Sequence, residues 1–143
     1  MNPLGALSDT DAALIGEVLA QVGRGYATLN ADLVADAYTD QADWTNAFGQ
    51  SRQGRDQIRD YLKGVFRSEA FRSGQGVGPP QVSLRLVRPG VAVAHLVSER
   101  VGQQTMGTGR AIPLRKIHQL MVLAKAGDRW SIEAELIMDA EPA

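Results

Sequence analysis

Tyr38-Thr39-Asp40-Gln41-Ala42-Asp43-Trp44-Thr45-Asn46-Ala47-Phe48-Gly49, followed by Gly54-Arg55-Asp56-Gln57-Ile58, is where the chain changes its hydrophobic period. Ala42–Phe48 alternates as a strand does, and Gly49 to Gly54 reads as a turn and a short return strand. From Arg55 to Glu69 the period lengthens to that of a helix, with Ile58, Tyr61, Leu62, Val65 and Phe66 on one face. A strand pair therefore runs directly into an amphipathic helix.

Upstream, Ser8-Asp9-Thr10-Asp11 has the side-chain oxygen and the early acids of a helix start. Leu14, Ile15, Val18, Leu19, Val22, Tyr26 and Leu29 then recur at three- and four-residue steps, and Asn30-Ala31-Asp32 starts a second, short helix. Downstream, residues 73–80 are a loop by composition. Gln81–Arg88, Val91–Arg100, Leu114–Ala124 and Trp130–Met138 read as strands, the last two joined by a hairpin at Lys125-Ala126-Gly127-Asp128. Helices in the first half and antiparallel strands in the second define an α+β domain. It is expected as one unit over residues 9–139, with an N-terminal tail at 1–8 and a C-terminal tail at 140–143.

The 143 residues carry fifteen basic and sixteen acidic side chains, 44% hydrophobic residues and no cysteine. A near-neutral chain lacks the potential that draws nucleic acid or anionic membranes, so neither is expected as a partner. Without cysteine there are no disulfides, thiolate metal sites or thiol nucleophiles. No stretch approaches the ~18 apolar residues of a membrane span, and a cytoplasmic location is expected. Gly102-Gln103-Gln104-Thr105-Met106-Gly107-Thr108-Gly109 lacks the Gly-Lys-Ser/Thr ending of a phosphate loop and reads as a long connection able to cover a cavity mouth.

The stretch from Tyr38 to Gly49, the Gly54-Arg55-Asp56-Gln57-Ile58 run and the later Gly127-Asp128-Arg129-Trp130-Ser131-Ile132 resemble the nuclear transport factor 2-like (SnoaL-like) superfamily, and within it the small SgcJ/EcaC-type proteins. The resemblance implies a cone-shaped, curved antiparallel sheet that, with three helices from the N-terminal half, encloses an apolar pocket. It also implies homodimers formed through the convex sheet face and, for relatives in enediyne gene clusters, a polyketide-type ligand. In the steroid-isomerase branch an aspartate on the first strand takes up a proton, assisted by a protonated aspartate and a tyrosine. Asn46 falls at the position of that base, Gln119 at that of the acidic donor, and the tyrosine position falls near Gly23 with Tyr26 in its neighbourhood. An amide takes up no proton at neutral pH, so that mechanism is not expected here.

Strand parity extends the pocket list. Asn46 inward brings Trp44 and Phe48 with it, and Gln119 inward brings Ile117 and Met121. His118, Leu120 and Val122 then face outward, as an apolar stripe that a dimer would bury. Tyr61 and Phe66 complete the expected lining of Tyr26, Trp44, Asn46, Phe48, Gln119 and Met121. Trp44 and Phe48 read as ordinary core before they read as a ligand shelf, Asn46 also as a side chain satisfying the strand end, and Gln119 also as an interface residue. The candidates for proton transfer are His95, Glu133 and Glu135. The parity of the last strand is open, and two inward glutamates would give one carboxyl a raised pKa beside a basic partner. No metal-ligand spacing accompanies the two histidines, so neither a metal nor another cofactor is expected. The expected ligand is a hydrophobic, partly oxygenated small molecule, either cyclised, hydrated or isomerised without cofactor, or bound and shielded. A purely structural, dimerising accessory protein is the third reading.

Overall fold

A computed structural model describes residues 6–104 and 114–140. Helix α1 (Asp9–Ala27) is capped by Ser8, whose side chain accepts from Asp11 N at 3.1 Å. Helix α2 (Ala31–Ala35) is capped in the same way by Asn30. Strand β1 (Tyr38–Thr45) and the short β2 (Ser51–Gln53) lead into α3 (Arg55–Arg67). Extended backbone at Ser68 ends α3 and begins the one-turn α4 (Glu69–Arg72), where a single longer helix was expected. The segment expected as a loop then contains a two-residue strand, β3 (Gln75–Gly76). Four long strands follow: β4 (Gln81–Arg88), β5 (Val91–Val101), β6 (Arg115–Ala126) and β7 (Arg129–Asp139).

The seven strands form one curved sheet in the order β2-β1-β7-β6-β5-β3, with β4 also paired to β5. The fold is α+β, with one correction: the sheet is mixed. β1 lies parallel to β7, with Trp44 opposite Glu135 and Thr45 opposite Leu136. The chain between them passes through α3 and the whole β4–β7 meander, so β1 returns to the sheet as a neighbour of its last strand and runs the same way.

The Gly-Arg-x-x-Ile run has a physical reason for each residue. Gly54 has φ 86° and ψ 154°, a conformation open essentially to glycine alone, and a Cβ there would sit 2.6 Å from the Asp40 carbonyl oxygen. Arg55 donates to the Tyr38 carbonyl from Nε (3.1 Å) and Nη2 (2.9 Å) and pairs with Asp40 at 2.9 Å. Ile58 is fully buried in the core, which fills the space between helices and sheet with Ile15, Val34, Leu62, Met121 and Ile132.

β7 carries an irregularity that the sequence pattern conceals. Val122 pairs with Ala134, but Leu123 pairs with Ile132, so Glu133 is the extra residue of a bulge. Ile132 and Glu135, three apart, both point inward as a result, while Glu133 is exposed. Among the described residues no helix is long and apolar enough to cross a membrane.

Candidate functional site

Between the inner face of the sheet and the helices lies a cavity of about 720 Å³. α1 contributes Val22, Gly23 and Tyr26, α3 contributes Tyr61 and Val65, and β1 contributes Trp44. Leu96 and Ser98 on β5, and Ile117 and Gln119 on β6, form the floor. The room exists because Gly23 has no side chain and no atom within 4 Å of where a Cβ would stand.

Asn46 stands at the end of β1 and spends its amide on the β1–β2 turn. Its Oδ1 accepts from Phe48 N (3.0 Å) and Gln50 N (2.9 Å), and its Nδ2 donates to Tyr61 Oη (2.7 Å) and Gln50 Oε1 (3.1 Å). Tyr61 Oη donates on to Gln50 Oε1 at 2.6 Å, and its ring lies 5.3 Å from that of Trp44. Asn46 borders the cavity, but each of its polar atoms already serves the turn.

The chemically distinctive group is one side chain behind the wall. Glu135, only 4% exposed, accepts from Tyr38 Oη on one carboxyl oxygen and from Gln119 Nε2 (2.9 Å) on the other. Burial pushes its pKa above the ordinary 4.5, outweighing the two hydrogen bonds that favour the ionised form. Burial first, and then the Glu135 charge, hold the hydroxyls of Tyr38 and Tyr26 well above the usual phenol range, so both remain protonated donors. Beside them the buried Nε1 of Trp44 has no acceptor among the described residues.

The other sequence candidates are distributed as follows. Tyr26, Trp44, Tyr61 and Gln119 meet around the cavity. Phe66 and Met121 are packed into the core. Phe48 is 58% exposed, because β1 ends at Thr45 and strand parity does not extend through the turn to it; its ring borders the cavity from outside. His95 and Glu133 lie on the wrong side of the sheet for the cavity. His95 alternates with the inward Ala94 and Leu96 and meets His118, Nε2 to Nδ1 at 3.0 Å, on the outer face. Glu133 is turned out by the bulge and accepts from Thr39 Oγ1 at 3.1 Å. The two glutamates therefore do not form a pair. Among the described residues no group of three or more potential ligands could hold a metal ion. Most of the glycine-rich connection expected over the cavity mouth, residues 105–113, lies outside the described residues.

Among the residues that escape the sequence reading are two cavity-lining arginines, Arg100 on β5 and Arg115 on β6, which are cross-strand partners. The signal was available, since Arg115 stands two residues before Ile117 and Arg100 four after Leu96, each on the inward parity of its strand.

No protein-family model matches the chain, and no curated protein matches it. Solved structures do. The chain superposes on an uncharacterised protein with a cystatin-like fold from Caulobacter vibrioides (TM-score 0.79, 18% identity, 92% of this chain and 90% of that one). It also superposes on a ketosteroid isomerase-like protein from Erwinia carotovora (0.74, 14%, 94% and 100%). A third match is a nuclear transport factor 2-like protein with a cystatin-like fold from Novosphingobium aromaticivorans (0.71, 16%, 93% and 84%). At these identities the likeness is one of fold.

Proposed function

We propose that this protein binds a hydrophobic, partly oxygenated small molecule in the cavity between sheet and helices. The observation that carries this reading is the cavity itself: about 720 Å³, walled by Trp44, Tyr61, Tyr26 and Leu96, with Gln119 as a neutral polar group on its floor. A space of that size exceeds the voids left in close-packed protein interiors. The resemblance of the Tyr38–Ile58 region to SgcJ/EcaC-type proteins supports a polyketide-type ligand, enediyne intermediates included. Native mass spectrometry of freshly purified protein tests the reading. A retained small molecule is expected, and Gly23→Phe, which fills the cavity from α1 without a clash at the Cβ, abolishes its retention. Retention that is unaffected by Gly23→Phe would place the ligand elsewhere.

Acid–base catalysis is the second reading, and Glu135 favours it. A buried carboxyl of raised pKa, hydrogen-bonded to the cavity-lining Gln119, suits proton transfer in a cofactor-free isomerisation, cyclisation or hydration. Glu135 itself does not line the cavity, and this is why binding comes first. Incubating the ligand-loaded protein in D2O separates the two: transfer through Glu135 adds deuterium to the ligand and Glu135→Gln stops it, whereas a binder leaves the ligand mass unchanged.

The outer face supports a homodimer. Leu120, Leu136 and Met138 are 48%, 49% and 55% exposed on adjacent strands, with Val93, Val97 and Val122 continuing the same surface around His95 and His118. A second copy of this face would bury that surface. Sedimentation velocity is expected to show a dimer that Leu120→Glu converts to monomer; a wild-type monomer at micromolar concentration would remove the proposal.

A further inference from the structure

Arg100 and Arg115 face each other across β5 and β6 and converge on a single acceptor. Gln103 Oε1 lies 3.2 Å from Arg100 Nε and 3.2 Å from Arg115 Nη1. Aromatic rings brace both guanidiniums, with Arg100 Cζ 4.3 Å above Phe71 and Arg115 Cζ 5.7 Å from the Phe48 ring centre. Gly74 makes the space: a Cβ there would stand 2.9 Å from both Arg100 Nη2 and Gln103 Cβ. Two cations thus share one neutral oxygen.

Their compensation is incomplete. Arg115 pairs with Asp139 at 2.7 Å. Arg100 has no carboxylate partner among the described residues, and its remaining contact is the Phe71 carbonyl at 3.4 Å. Residues 105–113, Thr-Met-Gly-Thr-Gly-Arg-Ala-Ile-Pro, supply no acid. Burial weakens the protonated form of Arg100, and the charge of Arg115 adds to that cost. Asp139 pairs with only one of the two cations and Glu99, which also borders the cavity, makes no ion pair with either among the described residues, so the arrangement suits an anion bound between the guanidiniums.

We infer that the ligand of this cavity carries a carboxylate, which takes the place of Gln103 Oε1 between Arg100 and Arg115. The inference rests on the reading of the cavity as a ligand site and adds the chemical class of the ligand, an amphipathic carboxylic acid. Gln119 lies four residue steps along β6 from Arg115, about 13 Å along a strand. The acid is therefore anchored at one end, its apolar body lies along Leu96 and Ile117, and a second oxygen function reaches the Gln119 amide at the other.

The test uses a matched pair of probes, 2-naphthoate and its neutral isostere 2-naphthamide, titrated into the full-length protein by calorimetry and followed by NMR at Trp44 and Gln119. The carboxylate is expected to bind about tenfold more tightly or better, because two charge-assisted contacts replace neutral ones. Arg100→Gln and Arg115→Gln should each bring the ratio of affinities to within about twofold of one, with Arg100→Lys in between. Should either glutamine variant fail to fold, the salt dependence decides: the preference must shrink as ionic strength rises. Equal affinities for the two probes would overturn the carboxylate and leave the cavity reading standing. Binding of neither probe would overturn both.

Discussion

Gly54→Ala is expected to destabilise the protein by about 3 kcal/mol, a combination of backbone strain and steric conflict. The strain arises because φ 86° with ψ 154° lies outside the territory of a residue bearing a Cβ. The conflict arises because the Asp40 carbonyl oxygen would be 2.6 Å away and belongs to the backbone of β1, which is paired to β7 at Tyr38 and Asp43 on either side of it. Gly49→Ala supplies the comparison. Its φ of 76° is also positive, but no atom lies within 4 Å of the new Cβ, so only the conformational cost of about 1 kcal/mol remains. Urea denaturation of the two variants separates strain from contact. Equal losses would show that the close approach of β1 to the start of α3 contributes nothing.

Glu135→Leu is expected to cost about 2–3 kcal/mol, since it strands the Tyr38 hydroxyl inside the core and removes the acceptor of the Gln119 amide. Tyr38→Phe added to it should recover more than 1 kcal/mol of the summed single losses, because the two side chains satisfy each other. Glu135 also governs a pH dependence. Its folded pKa lies above that of the unfolded chain, so the unfolded state gives up its proton first as pH rises. Stability attributable to this group is complete below the unfolded value, declines as pH climbs towards the folded value and is level beyond it. Glu135→Gln removes that decline. Melts from pH about 4 to about 8 should show a flatter curve for the variant; parallel curves would mean that the carboxyl titrates alike in both states.

The helices and hairpins were legible because their signals are local. Ser8 and Asn30 cap helices that begin where their side chains suggest, and Gly127-Asp128 turns β6 into β7 as the flanking alternation requires. What escaped depends on pairing between distant segments. The parallel alignment of Tyr38–Thr45 with β7 has no signature in either strand alone. The bond from Tyr38 to Glu135 joins residues 97 apart. Phe48 borders the cavity from an exposed turn and not from the inner face of the strand, because alternation does not run past the last paired residue, Thr45. The arginines were passed over for a different reason: charges near strand ends ordinarily face water, and only the register that sets Arg100 opposite Arg115 brings them together on the inner face.

The extra residue at Glu133 works as a phase setting for the rest of β7. Upstream of it Trp130 and Ile132 show their side chains to the interior; downstream the odd-numbered Glu135 and Ile137 do so. Were the strand to run through Glu133 without the bulge, its downstream pairing to β6 slipping by one residue, Ala134 and Leu136 would take the inward places and the acid would stand in solvent. The acid in the interior is therefore owed to one bulged residue, and flattening that bulge would leave an oily interior with every side chain unchanged.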